Sequence, residues 1–587
     1  MATTPTRSNT LTGGEVINNA LSRYGVNTTF ALAGTAHAHL LWAMEQDKAR
    51  HPWTIISGRH ETGTVGAADG YARATGKLGI AMINAEHGLA NAMTGIVVAQ
   101  AACSPVLVLT TLGTPSQTEA ISERGNDLLD MAKPFVKWAK AVPDASRLEE
   151  YVHAAAKQAM SGRPGVAMLG IPHGWESKAV EMSERGDMPL TFPGHAGPSA
   201  TALKAAAELL ANAKRPLIVV GAGAMMSGAS PALRRLAETF RFPVMANSMG
   251  RGVVAEDLKI GFPWPLAQVA AKHADVVLVL GARLTQRMGF GLAPRFAANA
   301  KFIQVDVHAE EMNRNRCIEV PIIADVRLTV EALHTELTRI GFKNAVDPAW
   351  INEAMTARIA RIEELGLDEK APIHPYRMAR ELVKQMPDDA IYVGDGADIQ
   401  NWMHAILRIK TPRAFMDHYP YGSMGTGTPL AIGAAAAMKE EALKTGKPAR
   451  PTVLVTGDGA FGFYSSEFNG AVMAGLRLIC LISNDAGWGT ERHGQIKALG
   501  GQVNCDLGHC DYHLIGEAYG AIGRRVENPG DIAPAIKMAF AADRPVVLNV
   551  ITDPMAGLLR KEDPRVQCIA FEDLVSSQKK HYTPEIA

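Results

Sequence analysis

Short β-branched or apolar runs alternate with longer helical patterns along three stretches of the chain, and this constrains the fold more than any other feature. Such runs read as buried strands, and their alternation with helices is the mark of parallel sheets covered by helices. In the first stretch the strand-like runs are Leu78 to Ile83, Val106 to Leu109 and Val166 to Leu169, with helical segments such as Glu15 to Tyr24. The second carries Pro216 to Val220, Pro243 to Ala246, Val276 to Leu280 and Phe302 to Val307. The third carries Ile391 to Val393, Thr452 to Val455 and Leu478 to Ile482. Pro and Gly accumulate between Ser183 and Ser199, and a second linker is expected near Leu365 to Pro375. A chain of 587 residues is too long for one core. The expectation is an α/β protein of three consecutive parallel-sheet domains, residues 1–185, 196–345 and 370–555, followed by a C-terminal tail, 556–587, too short for a domain.

Composition narrows the partners. Lys plus Arg equals Asp plus Glu at 59 each, so no net field draws in a nucleic acid, and small molecules are the expected partners. No run reaches the roughly 18 apolar residues of a membrane helix, and Met1 to Leu11 is polar, so no membrane partner and a cytoplasmic location are expected. Six cysteines scattered over so long a chain fit reduced thiols. Cys505, His509, Cys510 and His513 cluster, but at no standard zinc spacing.

The segment richest in chemistry runs from Val453 to Ala460, a strand ending in Gly457, Asp458 and Gly459. The next strand, Leu478 to Ile482, leads into Asn484, Asp485, Gly487 and Trp488. Parallel strands deliver their C-terminal ends to one edge, where open α/β sheets bind ligands. Asp458 and Asp485 would meet there, and oxygen ligands beside a glycine turn and a helix N-terminus suit a hard cation clamping a diphosphate. Each piece alone also reads as an ordinary turn.

Together, with Asp485 placed 27 positions after Asp458, they resemble the cofactor motif of thiamine-diphosphate enzymes. A second segment adds to the resemblance: Arg59, His60 and Glu61, followed by Gly70, Tyr71, Ala72 and Arg73, is similar to the acetolactate synthase, pyruvate oxidase and benzaldehyde lyase group. By itself, Glu61 could be a helix-start charge. The resemblance spans essentially residues 10 to 555 and implies pyrimidine-binding, central and diphosphate-binding domains in that order. It implies thiamine diphosphate and a divalent metal, magnesium in the family, held by Asp458, Asp485 and the Gly487 carbonyl. Asp485 departs from the commoner Asn and adds negative charge. Glu61 would hydrogen-bond the cofactor's pyrimidine ring and activate it, and the thiazolium ring would accept an electron pair from the substrate.

Other cofactor contacts implied by the resemblance are Gly396 and Ala397 in one diphosphate-side loop, Gly457, Gly459, Ala460 and Trp488 in the other, and Met424 as the prop that bends the cofactor. The alternative for Met424 is an ordinary core methionine. Candidate catalytic residues beside Glu61 are Glu491, six positions after Asp485, and His87 and His37 in loops that face the pyrimidine or the substrate in relatives. Glu491 also reads as a solvated helix-start acid, and the histidines as satisfied core residues. Because the pyrimidine domain of one subunit faces the diphosphate domain of another in this group, the resemblance implies a homodimer or homotetramer.

The chain lacks the His-His pair of pyruvate decarboxylases and, near Glu123 to Gly125, the Phe-Gln-Glu run of acetolactate synthases. Gly221 and Gly223 follow a strand without the third glycine of a dinucleotide fingerprint. The loop from Gly281 to Gly291, with Arg283 and Arg287, resembles one that holds FAD or an acyl-CoA nucleotide in some relatives, so FAD and CoA stay open. The leading expectation is a carbon-carbon lyase or carboligase acting on a 2-oxo acid or 2-hydroxy ketone. The alternatives are a 2-hydroxyacyl-CoA lyase, whose long substrate the tail could cover, and a non-catalytic cofactor-binding scaffold or regulatory subunit.

Overall fold

The computed structural model describes residues 10–114, 116, 129–181, 195–343 and 347–566. Glu123 to Gly125 and most of the linker after Ser183 lie outside them. Three six-stranded parallel sheets with covering helices bear out the α/β expectation. The first has the strand order Thr54–Ser57, Thr28–Ala31, Gly79–Ile83, Val106–Leu112, Val166–Pro172, Trp138–Ala141. Numbered by appearance, this is 2-1-3-4-6-5. The second runs Gly261–Pro263, Val244–Ala246, Pro216–Val220, Val276–Leu280, Lys301–Asp306, Val320–Ile323, or 3-2-1-4-5-6. The third runs Phe415–Asp417, Ile391–Gly394, Thr452–Gly457, Leu478–Asn484, Val546–Ile551, Ile522–Val526, which is 2-1-3-4-6-5 again. Each order reverses beside its first strand, and at that switch point the loops leaving two adjacent strands diverge and open a crevice; the first and third sheets also exchange their last two strands.

Most expected strands recur within a residue or two. The largest differences are at Val106–Leu112 and Val166–Pro172, each three residues past the expected end, and Thr452–Gly457 runs directly into the helix Asp458–Tyr464. The helix expected from Glu15 begins earlier, at Gly13, because Thr12 and Glu15 cap it reciprocally. The Thr12 N–H donates to Glu15 Oε2 at 2.7 Å, and Thr12 Oγ1 accepts from the Glu15 N–H at 3.3 Å.

The chain divides into two compact units. One comprises the described residues of Met1–Pro193 with His418–Thr452 and Phe463–Leu478, and so holds the first sheet. Its centre is the helix Glu61–Thr75, buried from Glu61 through Ala74, which crosses the helix Gly427–Thr445. Glycines set the crossing distance. A Cβ on Gly70 would lie 2.1 Å from the Leu430 carbonyl oxygen, and one on Gly433 would lie 1.9 Å from that of Ala67. Buried Glu440 on the second helix accepts from Tyr71 Oη at 2.8 Å and Thr28 Oγ1 at 2.9 Å, satisfying polar groups of the first helix and the sheet.

The other unit comprises Gly194–Asp417, Val453–Gly462 and the described residues of Ile479–Ala587, and holds the second and third sheets. A buried ion pair joins the elements around them. Arg251 donates to Glu256 at 2.8 and 2.6 Å and to the Leu407 carbonyl at 2.8 Å, and the Ile409 N–H donates to Glu256 at 2.9 Å. At the second sheet's switch point the Gly221 and Gly223 N–H groups donate to the carbonyls of Leu280 and Gly281, so these glycines pack backbone against backbone. The described part of the tail, as far as Val566, carries the short helix Ala556–Glu562. Among the described residues no helix is long and apolar enough to cross a membrane.

The helix crossing gives a first prediction. In Gly433→Ala the new methyl meets backbone that cannot move aside, so thermal and urea unfolding should show a loss of about 1–3 kcal/mol. Unchanged stability would mean that the two helices separate freely.

Candidate active site

In the third sheet the switch point lies between Ile391–Gly394 and Thr452–Gly457, and the loops leaving those strands meet there. Gly396 sits at φ +79°, in the left-handed region, and a Cβ on it would approach the Gly457 nitrogen to 3.1 Å. Gln400 ties the loops together: its Nε2 donates to the Asp395 and Val455 carbonyls, both at 3.0 Å, while its Oε1 accepts from Tyr392 Oη at 2.8 Å. Ala397 follows half-buried, at the start of the helix Asp398–Ile406.

Asp458 begins the next helix, and its carboxylate is buried. Neither oxygen has a hydrogen-bond partner; the Gly459 and Gly487 N–H groups lie near without reaching that geometry. Burial pushes the carboxyl above its ordinary range, outweighing the pull of those N–H groups. Asp485, at the end of the neighbouring strand, is pushed up by burial and further by the charges of Asp398 and Asp458. Two desolvated acids facing each other at strand ends form a hard oxygen donor set, which fits a divalent cation. Small residues keep the space open. A Cβ on Gly489 would lie 2.2 Å from Asp485 Oδ2, and one on Gly459 would strike the Trp488 ring at 2.4 Å. Buried Ala460 packs beside Gly396.

Asn484 shapes the turn after the second acid: its Oδ1 accepts from the Ala486 N–H at 3.2 Å and its Nδ2 donates to Asn549 Oδ1 at 3.0 Å. Asp398 is held below the ordinary carboxylate range. Burial opposes its ionisation, but the Arg560 guanidinium, His493 and the Trp402 N–H outweigh it. The tail helix, which carries Arg560, is thereby fastened beside this loop.

In the other unit Glu61 is buried at the head of its helix and accepts from Asn91 Nδ2 at 3.1 Å through Oε2. Its Oε1 lies beside Gly88, where a Cβ would come within 3.2 Å. Beneath the same turn Glu467 accepts from the Arg59 N–H at 3.1 and 3.2 Å. Burial pushes the Glu467 carboxyl up to about 7, against the Arg59 and His60 N–H groups and the Arg59 charge, with Glu61 adding to the rise. Met424 is half-buried, next to Gly425, whose φ of +89° and close approach to Phe463 bend the chain sharply.

The remaining candidates separate. Glu491 is exposed in the first turn of the helix Gly489–Leu499, and His87 is exposed on the helix Ala85–Ala101. His37, expected to contact substrate, is buried: Nδ1 meets Glu176 Oε1 at 2.7 Å and Nε2 meets the Ile83 carbonyl at 3.0 Å. Glu176 also accepts from the Leu40 N–H at 3.1 Å. Neither ring nitrogen is left to meet a substrate. Asn91, Glu467 and Gln400 escaped the sequence reading because nothing local distinguishes them from other polar residues of helices and strand ends.

Models of thiamine pyrophosphate enzymes match this chain in order: the N-terminal TPP binding domain over residues 11–126, the central domain over 203–333 and the C-terminal TPP binding domain over 395–550. The chain is 30% identical over 570 residues to a probable acetolactate synthase of Mycobacterium bovis, covering 96% of this chain and 100% of that one. It is 29% identical to a 2-hydroxyacyl-CoA lyase of Oryza sativa subsp. japonica, over 93% of this chain and 96% of the relative. With 2-hydroxyacyl-CoA lyase 1 of Mus musculus the identity is 26%, over 93% and 95% of the two chains. The chain therefore belongs to the thiamine pyrophosphate enzyme family and is a thiamine-diphosphate-dependent enzyme.

The Glu467 carboxyl makes the site's stability depend on pH. Its folded value of about 7 lies above the ordinary 4.5, so its contribution to stability is present at low pH and is lost as pH rises through about 7. Glu467→Gln should therefore shrink the fall in thermal midpoint between pH 5 and pH 8. A wild-type-like fall in the variant would show that Glu467 titrates normally.

Proposed function

We propose that the chain is a magnesium- and thiamine-diphosphate-dependent carbon-carbon lyase or carboligase, acting on a 2-oxo acid or 2-hydroxy ketone in the manner of an acetolactate synthase. The observation that carries the metal and diphosphate reading is the buried pair Asp458 and Asp485 at adjacent strand ends, beside the glycine loop Gly394 to Ala397. Their carboxylates and the Gly487 carbonyl would hold magnesium, and the backbone at Gly396, Ala397, Gly457, Gly459 and Ala460 would approach the diphosphate. Trp488 closes the loop over Gly459, and Met424 serves as the prop beneath the bent cofactor. When bound, thiamine diphosphate supplies an electron-accepting thiazolium ring beside the substrate carbonyl.

Glu61 is the activating acid. Asn91 engages its Oε2 and fixes the carboxylate, leaving Oε1 to hold the proton shared with the pyrimidine ring. Glu491, exposed at its helix head, moves protons at the reacting carbon, with His87 as a second polar group of the pocket. His37, paired with Glu176, holds the loop that follows the strand Thr28–Ala31. The substrate assignment rests on the relatives. Those named 2-hydroxyacyl-CoA lyase, at 26% and 29% identity over 93% of the chain, favour cleavage of a CoA thioester as the second reading.

The working unit is a homodimer or homotetramer in which Glu61 and Asp458 of one site come from different subunits. Trp42, Leu443 and Met473, all more than half exposed in the first unit, supply apolar surface for such an assembly.

Purified protein with thiamine diphosphate and magnesium, offered pyruvate, benzoin-type ketones, 2-hydroxyacyl-CoA esters and oxalyl-CoA, should turn over free acids or ketones; product on CoA esters alone would establish the second reading. Glu61→Gln should lower kcat at least about 100-fold while cofactor binding, followed by calorimetry, persists. Mixing inactive Glu61→Gln and Asp458→Ala chains should restore part of the activity. Failure of mixed, exchanged dimers to recover any would place both residues of a site on one chain.

A further inference from the structure

Arg492 lies on the helix Gly489–Leu499, seven positions after Asp485, and is buried. A guanidinium so close to a cation site opposes the cation electrostatically, so its presence calls for another cause. Its hydrogen bonds supply one. Nη1 donates to the Asp485 carbonyl at 2.9 Å and to the Pro554 carbonyl at 3.3 Å, and Nη2 donates to the Ala486 carbonyl at 3.1 Å. Nη2 also reaches Asp506 Oδ1 at 3.2 Å, and Nε donates to Gln502 Oε1 at 3.1 Å. The Asp485 side chain lies 3.5 Å from Nη1, at the limit of contact. The fork thus spends its N–H groups mainly on the backbone of one turn and on the two segments that flank it.

That turn is strained. Ala486, which is not glycine, sits at φ +57°, where a Cβ is disfavoured. Gly487 approaches the guanidinium so closely that a Cβ on it would lie 2.1 Å from Nη2. Arg492 holds the Asp485 and Ala486 carbonyls, the latter also accepting from the Leu507 N–H at 2.9 Å, and the next carbonyl, that of Gly487, accepts from the Gly489 N–H at 3.0 Å, so its direction is fixed from both sides.

We infer that Arg492 is a positioning residue for the metal loop: by clamping the Asp485 and Ala486 carbonyls it holds the strained turn in which the Asp485 carboxylate and the Gly487 carbonyl face the cation. The inference rests on the reading of Asp458, Asp485 and Gly487 as the magnesium site. Its action is through the turn and not through charge.

The test is calorimetric titration of Mg2+ into the full-length protein with thiamine diphosphate present. Arg492→Gln should weaken Mg2+ binding at least about tenfold, the scale on which a group supporting a metal ligand acts. Ala486→Gly in the Arg492→Gln background should recover at least half of the loss on a logarithmic scale, because glycine adopts the turn without the clamp. A smaller loss, or tighter binding as charge alone would give, overturns the inference; so does a loss that Ala486→Gly leaves untouched. If Arg492→Gln does not fold, Arg492→Lys keeps the charge but not the fork. It should weaken Mg2+ binding at least about fivefold, short of the full loss expected for a group supporting a metal ligand, and wild-type affinity in it overturns the inference. Asp458→Ala separates the two levels: Mg2+ binding that survives this change overturns the site itself, whereas its loss beside an unaffected Arg492→Gln overturns only the role of Arg492.

Discussion

Asp458 and Asp485 repel each other out of water, and much of the surrounding unit is arranged to keep them facing. Parallel strands bring both to one edge, a placement no local sequence preference could achieve alone. Gln400 binds the neighbouring loop to the strand that carries Asp458, and Asn484 and Arg492 grip either side of the turn that carries Asp485. Asp398, a third acid nearby, is answered by Arg560 and His493. Like charges in a dry place are costly to maintain. With Asp398 answered, and Arg492 only at 3.5 Å from the Asp485 carboxylate, the repulsion that remains lies between the facing pair, where a cation would relieve it.

The other unit holds Glu61 differently. Glu61 stands at the head of a helix buried along its length, crossed by a second helix at glycine contact distance, and Asn91 fixes one of its oxygens. Burial gives rigidity without a charged partner on Glu61 itself. Glu467 below it, held by the Arg59 N–H, keeps the turn before Glu61 in place and can do so as a neutral acid near pH 7.

Sequence exposed whatever repeats or signals locally. Buried strands such as Pro216–Val220 and Val276–Leu280 are visible as apolar runs, and the spacing of Asp458 and Asp485 is visible because both terminate such runs. The grouping of Gly427–Thr445 with the first sheet was not legible, since it depends on a crossing between helices hundreds of residues apart. His37 shows the same limit at one side chain. A histidine in a loop reads alike whether it faces a substrate or pairs with Glu176, and only the fold brings a glutamate 139 residues away to its Nδ1. Arg492 directly follows Glu491 in the sequence, yet one is buried and the other exposed.

The first and third sheets share the order 2-1-3-4-6-5, including the late exchange of the last two strands, while the sheet between them does not. Equal orders put the switch point between the first and third strands in both, so the two crevices open at equivalent positions of two similar scaffolds, and what distinguishes them lies in the loops that line them. The sheet between them has its switch point between its first and fourth strands instead.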